Sequence, residues 1–196
     1  MFKVVLHRIV AIPFVYNLVQ RLAGREEGHR RMRPYLAQTM GRTVLEVGAG
    51  TGDWAMMLPP TARYIWFDND PQKLAGFLSR GTSAMALLGD AARMCLKDKS
   101  VNWALCIAVS HHLTDEEFRQ FLRSLAKVSR EGLIFLDGLR TDNSWISQLL
   151  WKYDRGANPR KLEDLRPLIE EFFEIEKEEQ FAVYHRYWVC QAKPRV

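Results

Sequence analysis

The chain has 196 residues, an apolar fraction of 47%, a charged fraction of 26% and a formal net charge of +5. That length fits one domain, and the composition is that of a folded globular chain rather than a disordered or fibrous one. No apolar run reaches the roughly 20 residues needed to span a bilayer, and His7 and Arg8 break the apolar start, which makes a poor signal peptide. The positive charge suits a soluble basic protein or one drawn to an anionic partner or membrane surface. Cys95, Cys106 and Cys190 have no metal-site spacing and leave one thiol unpaired in any disulfide scheme. Cys106 and Cys190 sit in apolar runs as small core residues, and the set implies a reducing, cytoplasmic compartment.

Residues 2–12 place Phe2, Val5, Leu6, Ile9 and Val10 at helical spacing until Pro13, and residues 14–22 repeat the pattern. Gly24 is a cap, and a charge-dense stretch over 25–33 leads into a helix at about 33–40. The run 44–47 then reads as a buried parallel strand, hydrophobic on both faces apart from Glu46. Gly48, Gly50 and Gly52 follow at alternate positions. Such glycines allow a tight strand-to-helix turn and let a ligand lie against bare backbone. A nucleotide-type pocket at the carboxyl end of the first strand is the consequence. A dinucleotide fingerprint needs its third glycine at position 53, where Asp53 stands. Glu46 and Asp53 would also repel a pyrophosphate, with no basic side chain in the turn. A cationic or zwitterionic ligand suits the turn better.

A helix over 53–58 is stopped by Pro59-Pro60, and a second strand over 64–67 ends in Asp68. Asp68 lies twenty residues after Gly48, an interval of one helix and one strand. It therefore sits at the carboxyl end of the neighbouring strand, where it could accept both hydroxyls of a ribose. Asp70-Pro71 opens a helix. A third strand over 84–88 ends in Gly89-Asp90-Ala91, with a helix over about 91–97. A fourth, 101–109, delivers Ser110-His111-His112-Leu113, and Thr114-Asp115-Glu116-Glu117 is a capping box. It opens a helix with Phe118, Phe121, Leu122, Leu125 and Val128 on one face. A fifth strand over 132–137 precedes a long crossing, 138–171, with a helix from about 162 to 172. Residues 173–180 and 181–192 read as two strands joined too closely for an intervening helix, hence antiparallel.

The segment Glu46-Val47-Gly48-Ala49-Gly50-Thr51-Gly52 resembles the first motif, E/D-x-G-x-G-x-G, of class I S-adenosylmethionine-dependent methyltransferases. Phe67-Asp68-Asn69-Asp70-Pro71 looks like that family's second motif, and Gly89-Asp90-Ala91 resembles its G-D-A segment. The resemblance is clear over 43–137 and topological from 138 to 193. It implies an α/β fold: a Rossmann-like, seven-stranded, mostly parallel sheet with an antiparallel C-terminal hairpin, helices on both faces and an N-terminal helical lid. The implied organisation is a single domain, 1–196, with a lid over 1–41, a core over 42–196 and a substrate-side segment over 138–160. Asn102 departs from the acid that many members carry early in the fourth strand, a change that affects packing more than chemistry.

The implied cofactor is S-adenosylmethionine, which has no phosphate and carries an ammonium and a sulfonium. The resemblance places it on Glu46, Gly48, Ala49, Gly50, Thr51 and Gly52, with Asp68 and Asn69 at the ribose. Gly89, Asp90 and Ala91 then face the adenine, Asp90 accepting its amino group, and Val109 and Ser110 close the site. Methyl transfer is an in-line displacement, so the protein mainly aligns the reactants. A base is needed only for an acceptor that arrives protonated, and histidine titrates in the useful range. His111 and His112 are the candidates, with at most one facing the substrate. Tyr16 in the lid, with His111, Tyr153 and Arg155, is expected to meet the acceptor; Arg160 either joins them, there or on a carboxylate or phosphate, or belongs to a solvated loop, and His185 on the last strand reads as structural. The His-His-Leu segment is familiar from small-molecule methyltransferases of the quinone- and natural-product-modifying sort. An N-P-P-[YF] segment and a Pro-Cys nucleophile are missing, which argues against nucleic-acid methylation. The expected acceptor is thus a small aromatic or lipophilic molecule, with the N-terminal helices as a point of peripheral membrane contact. No H-x-x-x-H or C-x-x-C suggests a metal. An NAD(P)-dependent oxidoreductase and a non-catalytic module of the same fold remain as alternatives.

Overall fold

The computed structural model describes residues 25–141, 144–153, 158–183 and 186–195, without the side chains of Arg25, Ile146, Leu149, Leu150 and Tyr153. The helices expected over 2–12 and 14–22 lie outside the described residues, as do Tyr16, Arg155 and His185.

Seven strands form one sheet: β1 (Thr43–Val47), β2 (Arg63–Asp68), β3 (Met85–Leu88), β4 (Val101–Ile107), β5 (Ser129–Leu139), β6 (Phe173–Ala182) and β7 (Arg186–Pro194). Their order is β3-β2-β1-β4-β5-β7-β6. The first five run parallel, and β7 enters antiparallel between β5 and β6. The chain reverses between β1 and β4, the switch point at which open α/β sheets leave a crevice beyond the strands' carboxyl ends. The continuous apolar runs of β1, β4 and β5 fill this centre, burying Leu45, Val47, Ala104, Leu105, Cys106 and Ile134 completely. Cys106 and Cys190 are buried and Cys95 is exposed.

Among the described residues, five helices cover the sheet: α1 (Arg25–Leu36), α2 (Pro71–Leu78), α3 (Asp115–Val128), α4 (Trp145–Tyr153) and α5 (Leu162–Glu170). Phe118, Phe121, Leu122 and Leu125 of α3 and Leu165 and Ile169 of α5 pack on one face. Met32, Tyr35 and Leu36 of α1 pack on the other. The capping box forms in full: Thr114 Oγ1 accepts from the Glu117 N–H, and the Glu117 carboxylate accepts from the Thr114 N–H at 2.8 Å. The Asp70 side chain caps α2, with Pro71 in its first turn.

Three predicted helices are corrected. The charged stretch is itself helix α1, not a lead-in to a helix at 33–40. Glu27 accepts from Arg30 at 2.6 Å and Arg31 at 2.7 Å, one turn apart. Those hydrogen bonds hold its carboxyl at about 2. Residues Asp53–Met57 and Ala91–Arg93 form only short 3-10 turns where helices over 53–58 and 91–97 are expected. Pro59-Pro60 leave the first stretch under two helical turns, too short for a cooperative helix. The hairpin also turns later than expected: Phe181 and Ala182 belong to β6, and β7 begins at Arg186.

Candidate functional site

The first strand-to-helix turn is built as the glycine spacing requires. Gly48, Gly50 and Gly52 have φ of 72°, 56° and 72°, a left-handed region that costs a side chain roughly 1–2 kcal/mol. A Cβ on Gly48 would collide with Val109, and one on Gly52 with Phe77, whereas one on Gly50 would make only ordinary contact with the Gly48 carbonyl oxygen, at 3.9 Å. The turn therefore fits against the chain leaving β4 and against α2, and it leaves bare backbone at its centre for a ligand. The Gly48 and Ala49 N–H groups both donate to the Phe67 carbonyl, and Trp66 Nε1 donates to the Gly50 carbonyl, which fixes the turn to β2.

Asp68 ends β2 and is 4% exposed. Its Oδ2 accepts from the Gly50 N–H at 2.8 Å and faces Lys73 Nζ at 3.4 Å, while Oδ1 accepts from the Asp70 N–H. Asp68 thus links the glycine turn to the start of α2, and Asp70, not Asp68, is the helix cap. Arg80 likewise reaches Asp53 at 3.1 Å. The charge balance of the turn differs from the sequence expectation here, because Lys73 and Arg80 come back from α2 and its end.

Glu46, on β1, is 2% exposed and accepts a 2.5 Å hydrogen bond from Tyr64 Oη. Burial pushes its carboxyl up to about 8; the Tyr64 hydrogen bond works the other way, and the charges of Asp53 and Asp68 add to the rise. At neutral pH Glu46 is therefore mainly protonated. Asp90 is exposed and caps the 3-10 turn, accepting from the Ala92 N–H at 2.9 Å with one oxygen. Gly89 donates its N–H to the Asp68 carbonyl, so the ends of β2 and β3 are joined beside the turn. Thr51 and Asn69 are exposed at the same end of the sheet, with Ala91 half-buried.

Beyond β4 the chain turns sharply at Ala108, whose φ of 54° is left-handed for a residue with a side chain. A 3-10 turn, Ser110–His112, follows. Ser110 is buried with its hydroxyl on Asp137 Oδ2 at 2.6 Å, so this predicted cofactor residue spends its side chain inside the protein. His111 is 7% exposed and His112 is exposed, with ring centroids 4.2 Å apart. His111 Nδ1 lies 2.8 Å from Asp137 Oδ1, and its ring meets the edge of Trp151 at 5.4 Å. Asp137 is the functional residue that the sequence reading missed.

Arg160 is neither a solvated loop residue nor an open pocket side chain but a clamp. It is 7% exposed and donates to the carbonyls of Ser110 and Leu113 at 2.7 Å each and to Asp115 Oδ1 at 2.8 Å. Its guanidinium also lies over the Phe118 ring. Trp145, on α4, is 47% exposed, and α4 ends at Tyr153.

Residues 44–132 match the model of the methyltransferase domain family. No curated protein matches the chain. Among solved structures, the magnesium protoporphyrin IX methyltransferase of Synechocystis, solved with bound S-adenosylhomocysteine, superposes with a TM-score of 0.71 at 16% identity, over 88% of this chain and 84% of that one. An S-adenosylmethionine-dependent methyltransferase from Aquifex aeolicus gives 0.66 at 16%, over 89% and 91%. The [4+2]-cyclase SpnF gives 0.66 at 17%, over 85% and 81%. The fold is that of the class I methyltransferases. The antiparallel β7 between β5 and β6 belongs to that architecture, as the terminal hairpin led one to expect.

Proposed function

We propose that this protein transfers a methyl group from S-adenosylmethionine to a small aromatic or lipophilic acceptor. One observation carries the reading: a turn of three left-handed glycines, open at Gly50, flanked by buried Glu46 and Asp68, within the stretch that matches the methyltransferase domain model. When bound, the cofactor would supply an activated methyl group. The chain's own residues would hold and align it: backbone of residues 48–52 against its amino-acid part, Asp68 on the ribose hydroxyls, Asp90 and the backbone of residues 89–91 at the adenine. Because Glu46 is protonated in the free protein, a ligand ammonium at the turn would draw it into the charged form.

His111 is the candidate base, since it stands at the carboxyl end of β4 under α4, on the side where residues 138–160 would meet the acceptor. Exposed Trp145 and the Trp151 edge offer aromatic surface there. The acceptor class rests on that surface and on the His-His-Leu resemblance. A second reading, in which the cofactor site serves another chemistry or none, draws support from the [4+2]-cyclase of the same fold.

Calorimetric titration with S-adenosylhomocysteine, run beside NADH, tests the reading. Micromolar binding of the first and none of the second is expected. Binding of NADH alone would overturn it. A screen of phenols, quinols and amines with labelled S-adenosylmethionine then separates methyl transfer from the second reading, which predicts binding without turnover.

A further inference from the structure

Asp137 is buried, at 1% exposed. It lies near the end of β5, in register with Trp188 of β7, and among the described residues its single ion-pair partner is His111. Three of its four hydrogen-bond contacts come from donors of fixed direction. Oδ2 accepts from the Ser110 N–H at 2.8 Å and from Ser110 Oγ at 2.6 Å, and Oδ1 accepts from the Gly138 N–H at 2.7 Å and faces His111 Nδ1 at 2.8 Å. Burial favours the neutral acid, but the neighbouring His111 and these hydrogen bonds outweigh it and hold the carboxyl below its ordinary range. Asp137 is therefore an anion in the protein interior.

An ionised carboxylate at that distance requires a proton on His111 Nδ1, in the neutral ring as in the charged one. The ring is also held from the sides by His112 and Trp151. Its backbone is pinned where the Asn158 N–H donates to the His111 carbonyl at 2.9 Å and Arg160 takes the Ser110 carbonyl. We infer that Asp137 is a positioning residue, fixing the tautomer and orientation of His111 so that Nε2 is the nitrogen that accepts a proton. The inference rests on the methyl-transfer reading for the source of that proton. An acceptor hydroxyl or amine gives its proton to Nε2, the O–H or N–H bond breaks, an N–H bond forms, and the bonding pair stays on the acceptor. Asp137 stabilises the imidazolium so produced without itself taking the proton.

The test is a long-range proton–nitrogen correlation spectrum of the full chain labelled with nitrogen-15 histidine, with and without S-adenosylhomocysteine. His111→Gln assigns the ring signals. The wild-type His111 should hold its neutral proton on Nδ1 by roughly tenfold or more over Nε2, and Asp137→Asn should erase that preference, as an amide can present N–H instead. Ser110→Ala removes the 2.6 Å hydroxyl bond but keeps the carboxylate, and should leave the preference intact. A proton on Nε2 in the wild type overturns the inference, even if Asp137→Asn does not fold. So does an equal loss in both variants, which would assign the effect to loop packing. The tautomer is read without cofactor, so absent S-adenosylhomocysteine binding would defeat the methyl-transfer reading alone. Tight binding with the wrong tautomer would defeat only the role of Asp137.

Discussion

The two ends of the sheet hold their acids in different ways, a partly exposed one at the amino end and buried ones at the carboxyl end. At the amino end, Glu131 accepts from Asn102 Nδ2 at 2.7 Å, from Trp103 Nε1 at 3.0 Å and from the Arg42 guanidinium, while Asn102 Oδ1 accepts from the Thr43 N–H at 3.0 Å. β1, β4 and β5 are thereby laced together by a carboxylate whose charge is answered by a fixed cation at a partly exposed site. At the carboxyl end, Glu46 accepts from a tyrosine, Asp68 is held mostly by backbone N–H groups, and Asp137 has, among the described residues, an imidazole as its ion-pair partner. Left-handed backbone occurs at both ends, at Gly48, Gly50, Gly52 and Ala108 beyond the carboxyl ends and at Gly41, Gly81 and Lys99 before the amino ends. What separates the ends is how their acids are held, and on the proposed function the carboxyl end is the one a ligand completes.

Substitutions should separate the two ends. The largest effect is expected at His111: His111→Ala should lower methyl-transfer turnover by roughly a hundredfold or more while S-adenosylhomocysteine affinity stays near wild type. Exposed His112, replaced by alanine, should retain turnover. Loss of turnover only in the His112 variant would exchange their roles. Next, Asp68→Ala should weaken S-adenosylhomocysteine binding by roughly 10–100-fold, read by calorimetry. Unchanged affinity in a folded variant would remove Asp68 from the ribose.

Glu46 gives a pH signature. Its folded-state value, about 8, lies above the ordinary 4.5, so across that window the folded protein keeps a proton that the unfolded chain has released. Stability present below the lower value is therefore lost as pH rises, and levels off above the upper one. Glu46→Gln should abolish that slope and make the variant more stable than wild type in alkaline buffer, by roughly 1–3 kcal/mol. Thermal unfolding across the window checks it; parallel slopes in the two proteins would mean that Glu46 stays charged. The smallest effect belongs to the amino end. Asn102→Ala should cost about 1–2 kcal/mol of stability and leave S-adenosylhomocysteine affinity unchanged.

This division also governed what could be read from the sequence. The strands β1, β2, β4 and β5 were legible because buried parallel strands are apolar throughout, and the glycine turn because only glycine suits three left-handed positions within five residues. Thr114 and Glu117 announced α3 through a contact three residues long. Asp137 was hidden because its partners lie 26 and 27 residues away, and no local spacing encodes a contact between the ends of two different strands. The role of Arg160 was hidden for the same reason: an arginine in a loop reads as a solvated or ligand-binding group until the carbonyls it satisfies, 47 and 50 residues distant, are known. Asn102 in turn makes a hydrogen bond to Glu131 on the neighbouring strand.

Arg140 donates its N–H to the carbonyl of Arg160 at 2.8 Å, so the stretch between them leaves the sheet and returns at one point. Closing a flexible loop costs only about 0.6 kcal/mol more for each doubling of its length. Chain inserted or removed within 141–159 would therefore tax the sheet little, provided that Arg160 still reaches Ser110, Leu113 and Asp115. The stretch is a cassette held in one socket of hydrogen bonds, so its contents can change while the histidine beneath it stays where Asp137 holds it.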